Sequence, residues 1–461
     1  MSNATTLVID IGSSNIDAII AKKANDGTIN ILGSGMTKSE GINKGSITNL
    51  DLLGTAIKKA VVSANRTSNE DIKSATVSIS DSYTRTIRSS GSISTPTGYI
   101  SDAEIKKVLE MAYHNASMIP EYEVIHILPL FFKIDDVQSD APLHMTGSRL
   151  EVSVSIIIAR KSTLVNIENA LKPSGLEVEN FVLSGYASSI STLNKDEKTF
   201  GALILDMGAS SINMTLYSQG SVLFNDFIAL GSEYITNDIS QTFNTPKIAA
   251  EMIKNQYATL IPFKEDDPLL YKRIKVPILG NESETNEITL DRIQPVVHAR
   301  VEETLIITLN KFLQSELESK VKAGIVLTGG MSKLPGIKEL AEQIFKNFNV
   351  KIGIVQNIQN EYIDFNDNSK STIVGLILYA LNTNNSYELD SKKQLRLNIN
   401  IADDVKENIT YNDEVDNIQM TSSDSIIEEI VPPKDELLVA LEKNKKESFI
   451  SKTLSNMKDW F

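Results

Sequence analysis

The sequence predicts an α/β protein of two lobes, and three glycine-containing turns are the observations that predict it. Residues 7–14 and 202–211 each pass from an apolar run of strand length into Asp-x-Gly followed by small residues. Backbone amides in such a turn can wrap a phosphate while the aspartate faces a metal. A third apolar run, residues 324–328, enters Gly329-Gly330, where the backbone can lie close to a flat base or sugar. A chain of 461 residues is too long for one ordinary core and fits two lobes or more.

Composition and charge exclude several classes of protein. The 59 acidic and 45 basic side chains give a net charge of −14, which argues against general nucleic-acid binding. The sequence contains no cysteine, so disulfides and thiolate metal sites are excluded and a reducing, cytosolic compartment is expected. No apolar run approaches the roughly 18 residues that a membrane span requires, so any membrane contact is expected to be peripheral.

The first lobe is predicted to begin with a phosphate-loop subdomain, residues 1–83. Residues 84–160 follow as a self-contained α+β insert, made of a strand, a helix and two further strands. The insert helix opens with Ser101 and Glu104, a capping box in which each side chain satisfies a free backbone amide. Residues 161–199 are then predicted to return to the first lobe and to lead into the segment that joins the lobes.

The second lobe is predicted over residues 200–382, and the character of the chain changes after it. Residues 383–446 are rich in Asn, Asp, Ser and Glu and contain only scattered apolar residues. Because such a segment has little apolar surface to bury, we expect a flexible linker there rather than a packed domain.

The last fifteen residues, 447–461, form an amphipathic pattern that we call the tail. Its apolar stripe at helical spacing consists of Phe449, Ile450, Leu454, Met457, Trp460 and Phe461. A helix this short is marginal alone in water and needs a surface on which to bury its stripe. Five lysines against three acidic residues between positions 442 and 459 leave two net positive charges. An interfacial membrane anchor fits this pattern, and so does a terminal helix that docks on the folded body.

The three turns, in this order and spacing, resemble the signature of the actin-like ATP-binding fold. Residues 5–381 and the tail together resemble the FtsA family, bacterial cell-division relatives of actin. The resembling stretches are residues 8–14, 41–45, 201–211, 230–239 and 323–330. Ser232 departs from the family, which commonly has a second glycine there, so the turn at this point is expected to be tighter or less mobile.

The position of the insert supports the same resemblance. Actin and the DnaK-type chaperones carry a different subdomain elsewhere in the first lobe, whereas the FtsA-type module sits at residues 84–160. The expected fold is therefore α/β, of the two-lobed actin/DnaK-type ATPase class, with an FtsA-type inserted subdomain, a disordered C-terminal linker and a terminal amphipathic helix.

The resemblance implies a site for ATP and Mg²⁺. It implies that the phosphate loops are lined by Gly12, Ser13, Ser14, Asn15, Gly208, Ala209 and Ser210. Asp10 and Asp206 would hold Mg²⁺ through its waters, since two carboxylates facing one triphosphate need a cation between them. The adenosine would pack on Gly329, Gly330 and Met331. Two further residues match family positions near the ribose, although a surface ion pair one helical turn apart explains them equally well: Glu251 and Lys254.

Hydrolysis of the bound nucleotide is expected to be slow. A water that attacks the γ-phosphate needs a side chain to orient it, and residues 183–189, which link the lobes, contain no Asp, Glu, Asn or Gln. We therefore expect tight nucleotide binding with at most a slow ATPase activity.

The resemblance further implies a division protein that polymerises head to tail and anchors FtsZ filaments to the cytoplasmic face of the cell membrane at the septum. The FtsZ C-terminal peptide would dock on residues 235–305, with Arg300 as the candidate contact, although an ion pair with Glu303 accounts for Arg300 equally well. Other division proteins would be further partners. A PilM-type pilus-assembly protein and a kinase of the same superfamily remain alternatives, and the tail argues against both.

Overall fold

The computed structural model describes residues 5–24, 27–68, 70, 72–264, 266–355, 358, 367–381 and 387–397. These residues belong to one compact unit, Met1–Val405, while a second unit, Lys406–Phe461, lies outside them. The tail and most of the predicted linker therefore fall outside the described residues. No helix in the described ranges is both long and apolar enough to cross a membrane.

The bounds of the elements are as follows. The helices of the described residues are α1 Leu50–Ser68, α2 Asp102–His114, α3 Lys161–Leu171, α4 Ser184–Thr192, α5 Lys195–Phe200, α6 Ser232–Thr242, α7 Lys247–Tyr257, α8 Leu290–Leu313, α9 Ile337–Ile344 and α10 Ser371–Ala380. The strands are β1 Thr5–Ile11, β2 Asn15–Lys23, β3 Ile29–Lys38, β4 Ile42–Asn43, β5 Ser46–Ile47, β6 Ser74–Ile79, β7 Arg85–Ser94, β8 Tyr122–Ile134, β9 Val137–Ser139, β10 Arg149–Arg160, β11 Glu177–Leu183, β12 Ala202–Met207, β13 Ile212–Ser218, β14 Ser221–Ile228, β15 Arg273–Ile278, β16 Asn281–Thr289, β17 Gly324–Thr328, β18 Val350–Ile352, β19 Tyr387–Leu389 and β20 Leu395–Leu397.

The two lobes repeat one sheet topology. The first-lobe sheet has the order β11-β6-β1-β2-β3, and the second-lobe sheet has the order β18-β17-β12-β13-β14. In both sheets an antiparallel meander of three strands continues into two parallel strands. The central strands β1 and β12 are near-continuous apolar runs and are largely buried, with α10 packed on β1 and α4 packed on β12. Each of these strands ends in one of the Asp-x-Gly turns, so the repeat brings two equivalent turns into the protein.

The insert is built on a sheet of its own. Strands β8, β10 and β7 are neighbours in that order, and α2 packs against β7. The predicted capping box is confirmed, since the Ser101 side chain and the Glu104 side chain each accept from a backbone amide at the start of α2. A Cβ on Gly91 of β7 would lie 2.5 Å from the backbone nitrogen of Ala112 in α2. Glycine at this position therefore allows the helix to approach the strand closely.

Helix α10 corrects the predicted extent of the second lobe. The sequence predicts residues 371–381 as part of the second lobe, 200–382, but α10 packs on β1, β2 and β6 of the first lobe and crosses α4. A Cβ on Gly375 would lie 1.8 Å from the carbonyl oxygen of Ala187, so the two helices are in backbone contact at their crossing. The apolar sequence of α10 indicates that the helix is buried but does not indicate in which lobe, so the predicted lobe was wrong.

The start of the predicted linker is also wrong. Within residues 383–446, the segment 387–397 forms the hairpin of β19 and β20, and β19 pairs with β8 at the edge of the insert sheet. Tyr387 and Leu389 belong to the apolar core of the insert, and Glu388 between them is fully buried. The polar composition of the segment did not indicate this burial, because the Glu388 side chain is hydrogen-bonded to buried protein groups rather than to water.

Candidate functional site

A cleft of about 740 Å³ lies between the two sheets, and the three predicted turns all line it. Its walls also include α7, the loop of β4 and β5, and the residues just before α10. Ligand sites for compounds of nucleotide size commonly enclose volumes of about 300–1,000 Å³. The cleft is therefore large enough for a nucleotide and is lined by the residue types that the sequence singled out.

The two Asp-x-Gly turns have similar geometry and meet each other. A Cβ on Gly12 would lie 2.7 Å from the carbonyl oxygen of Asn15, and the Gly208 amide donates to the Ser211 carbonyl at 2.8 Å. The turns therefore close tightly behind their glycines. The Ser210 hydroxyl donates to the Ser13 hydroxyl at 2.6 Å, which joins the first lobe to the second across the cleft.

Asp10 and Asp206 face the same space from opposite lobes. The Ser78 hydroxyl donates to Asp10 at 2.7 Å, and the hydroxyls of Ser188 and Thr372 donate to one oxygen of Asp206 at 2.9 and 3.1 Å. Burial is the main cause that raises the pKa of Asp10 to about 7, with Asp206 among the smaller contributions. Burial likewise raises the pKa of Asp206. Both carboxylates are thus held in an environment that disfavours their charge.

These carboxylates fit a bound magnesium ion. Their side-chain hydrogen-bond partners are neutral hydroxyls and, for Asp206, also the Asn213 amide, which orient the oxygens without neutralising them. Across the described ranges, no group of three or more His, Cys, Asp or Glu side chains is arranged as a metal site. Magnesium ions that accompany nucleotides are commonly held by one or two carboxylates, with waters and phosphates as the other ligands. The two aspartates and the open cleft agree with that type of site.

The diglycine turn and the ribose candidates complete the wall. Gly329 has φ +82°, and a Cβ on it would lie 2.5 Å from an oxygen of Asp206, so only glycine fits. A Cβ placed on the neighbouring Gly330 would have no atom within 4 Å and would therefore point into open space. Met331, the next residue, is buried. Lys254 is 9% exposed and pairs with Glu251 at 2.7 Å. Both line the cleft, so this pair is more enclosed than a typical surface ion pair.

Comparison with known protein families decides the family. The family model "Cell division protein FtsA" matches residues 203–375, and "SHS2 domain inserted in FTSA" matches residues 82–158. A curated relative from Helicobacter pylori, described as cell division protein FtsA, is 34% identical over 415 residues, which is 84% of this chain and 84% of the relative. The relative from Pseudomonas aeruginosa with the same description is 31% identical, over 81% of this chain and 88% of its own. The chain belongs to the FtsA family.

Solved structures support the fold at low sequence identity. The PilM-PilN type IV pilus biogenesis complex aligns with a TM-score of 0.54 and 18% identity, over 82% of this chain and 99% of that chain. MreB 5 of Spiroplasma citri bound to AMPPNP aligns with a TM-score of 0.52 and 12% identity, over 88% and 100% respectively. The predicted family and the actin-like two-lobed fold with its FtsA-type insert are both confirmed.

Arg300, the candidate FtsZ contact, lies away from the cleft on α8. Its guanidinium pairs with Asp238 of α6 and with Glu303, and it lies over the ring of Tyr234. The Asp238 hydrogen bond is the main cause that raises the pKa of Arg300. Arg300 is thus held in a fixed orientation on this member of the FtsA family, and its partner role stays a prediction. The predicted membrane residues lie outside the described residues.

Several residues of the cleft are not among those predicted from the sequence. Asn213 and Ser80 line it and are joined at 2.7 Å, and Asp17 and Lys370 form an ion pair at 2.8 Å in its wall. Asp17 could have been found, because it lies two residues beyond Asn15 and strand alternation puts both on one face. Lys370 could not, since it is 353 residues from its partner in the chain.

Proposed function

We propose that this chain is an FtsA-type division protein that binds Mg·ATP between its lobes, polymerises head to tail and anchors FtsZ filaments to the cytoplasmic face of the membrane at the septum. The observation that carries the nucleotide part is the meeting of two Asp-x-Gly turns across one cleft, which the aspartate of each turn also lines. Family membership favours this function over the pilus-assembly and kinase alternatives.

Each wall of the cleft has a proposed role. The amides and hydroxyls of the two turns would bind the phosphates, while the diglycine turn and the Glu251–Lys254 pair would border the adenosine. Asp10 and Asp206 would hold Mg²⁺, which when bound supplies positive charge to the phosphate oxygens. Asn213, an amide of the cleft wall, already contacts Ser80 and Asp206. Its engagement supports slow turnover, with ATP acting mainly as a structural and switching ligand.

The tether and the partner contact are proposed from the sequence and the family. The tail would insert its stripe into the membrane interface, and residues 235–305 with Arg300 would receive the FtsZ C-terminal peptide. Full burial of a large apolar side chain contributes roughly 1.5–3 kcal/mol, so the six stripe residues outweigh two net charges at physiological salt. Membrane binding should therefore be mainly hydrophobic.

The nucleotide site is tested by calorimetry with Mg·ATP. Asp206→Ala removes a metal-facing carboxylate and Gly208→Asp puts negative charge where phosphate must lie, so each should abolish measurable binding. Asp226→Ala is the matched control, because Asp226 pairs with Lys311 outside the cleft and its loss should leave affinity unchanged. Unchanged affinity in both cleft variants would refute the site.

The tether is tested by sedimentation with vesicles that contain anionic phospholipid. Deletion of residues 447–461, or Trp460→Glu with Phe461→Glu, should release the protein from vesicles and leave ATP binding intact. Raising the salt concentration should weaken binding only modestly. If the intact chain does not bind vesicles and the deletion unfolds the lobes, the tail is a docked helix and the anchor is wrong.

A further inference from the structure

Three lysines line the cleft, and each is paired with an acidic residue. Lys254 pairs with Glu251 on α7, Lys333 pairs with Asp367 at 2.9 Å beyond the diglycine turn, and Lys370 pairs with Asp17. The first two pairs lie on the second-lobe wall that borders the adenosine in the proposed function. Lys370 differs, because its partner belongs to the strand that leaves the first phosphate turn.

The register of β1 and β2 puts two carboxylates directly opposite each other. Asp10 and Asp17 are cross-strand partners, so their side chains project from the same face of the sheet. Like charges in this relation destabilise a sheet unless a cation compensates them. The Lys370 side chain is 20% exposed, and its ammonium supplies that compensation at 2.8 Å from Asp17. It reaches this position from the residues that immediately precede α10.

Adding a triphosphate changes the balance of charge around this ammonium. Asp10, Asp17 and Asp206 already line the cleft, and the nucleotide would bring further negative charge to the same wall. A lysine ammonium is a compact charge on a flexible stem with three donors, so it can contact a carboxylate and a phosphate oxygen together. Lys370 is the cleft lysine whose carboxylate partner lies nearest in sequence to the first turn.

We propose that Lys370 is a phosphate-binding residue, held by Asp17 in the nucleotide-free protein and shared with, or transferred to, the terminal phosphates of the bound nucleotide. This inference rests on the proposed nucleotide function. Because Asp17 competes with the phosphates for the ammonium, the two members of the pair should act on affinity in opposite directions.

The test is calorimetry of the full chain with Mg·ATP, Mg·ADP and adenosine. Lys370→Met should weaken ATP binding by about tenfold or more, as expected for loss of a charge-assisted hydrogen bond, and ADP binding by less. Adenosine affinity should stay unchanged. Asp17→Asn should leave ATP affinity equal to or tighter than that of the wild type. Lys370→Arg keeps the cation and should recover most of the loss.

Control variants distinguish phosphate binding from a general effect of the charge change and from a purely structural role of the pair. Lys311→Met and Asp226→Asn make the same charge changes in a comparable pair outside the cleft and should leave nucleotide affinity unchanged. If Lys370→Met and Asp17→Asn both lower the thermal midpoint and leave ATP affinity alone, the pair is structural and the proposal is wrong. If the two variants weaken ATP binding equally, the competition is also refuted. If the wild type binds no Mg·ATP, the proposed function fails first, and the inference falls with it.

Discussion

Two regions of this protein bury carboxylates, and they do so in opposite ways. In the cleft, Asp10 and Asp206 accept from hydroxyls while facing open space. Beside α4 and α10, Glu388 is fully buried and accepts from His126 at 2.5 Å, Tyr379 at 2.9 Å and Tyr186 at 3.3 Å. The difference separates a carboxylate arranged for a ligand from one whose partners are all supplied by the protein.

The hydrogen bonds around His126 define its role in the second region. The backbone amide of Leu183 donates to Nε2, so this nitrogen carries no proton. Nδ1 must then hold the proton and donate it to Glu388. The imidazole also lies edge-on to the rings of Tyr186 and Tyr379, at centroid distances of 5.0 and 5.7 Å.

We call His126, Tyr186, Tyr379 and Glu388 the Glu388 cluster. This cluster joins four elements. They are β8 of the insert, the inter-lobe helices α4 and α10, and β19. Burial is the main cause that raises the pKa values of Tyr186 and Tyr379 well above the usual value, so both hydroxyls stay protonated as donors. The cluster therefore fixes β19, which lies within the segment predicted as linker, to the helices that connect the lobes.

The largest expected effect is a loss of stability when the Glu388 cluster is disrupted. His126→Ala removes a donor from a fully buried carboxylate and leaves a cavity, so the free energy of unfolding should fall by about 3–5 kcal/mol. Urea unfolding measures this loss. The exposed Arg273–Glu287 pair is the control, because Arg273→Ala should cost no more than about 1 kcal/mol. Equal losses in the two variants would show that the cluster is not structural.

A smaller change in the free energy of unfolding is expected when a cleft carboxylate is replaced by a neutral amide. In Asp206→Asn the amide oxygen can accept from Ser188 and Thr372 as before, and a buried charge disappears. The free energy of unfolding should therefore rise or change by less than about 1 kcal/mol. Denaturation without nucleotide is the measurement. A loss as large as that of His126→Ala would remove the distinction between the two regions.

A further expected effect is a pH dependence of stability that belongs to Asp10. Its pKa is raised from 3.8 to about 7 by burial first, so the folded state binds a proton more tightly than the unfolded chain. The resulting stability is complete below about pH 4 and is lost as pH rises through about 7. Unfolding curves between pH 5 and 8 should show this decline, and Asp10→Asn should flatten it. An equally steep decline in the variant would assign it to another group.

Local sequence patterns determined the features that depend on neighbouring residues. Each Asp-x-Gly turn is encoded within ten residues, and the capping box of α2 within four. Their order along the chain predicted the fold class and brought Asp10, Asp206 and the diglycine turn to one cleft. These features were predictable because strand period, glycine geometry and capping act over short distances.

Tertiary structure alone decided the rest. From the sequence, α10 was assigned to the wrong lobe and the segment of β19 was assigned to the linker. Apolar content predicts burial and polar content predicts exposure to water, but neither predicts which element a segment packs against. Glu388 meets His126 across 262 residues, and Lys370 meets Asp17 across 353. Pairings at such separations leave no periodic signal, since each depends on how whole elements pack. The sequence alone thus determined the turns and the family, and packing decided which charges are stabilised inside the protein and which face the cleft.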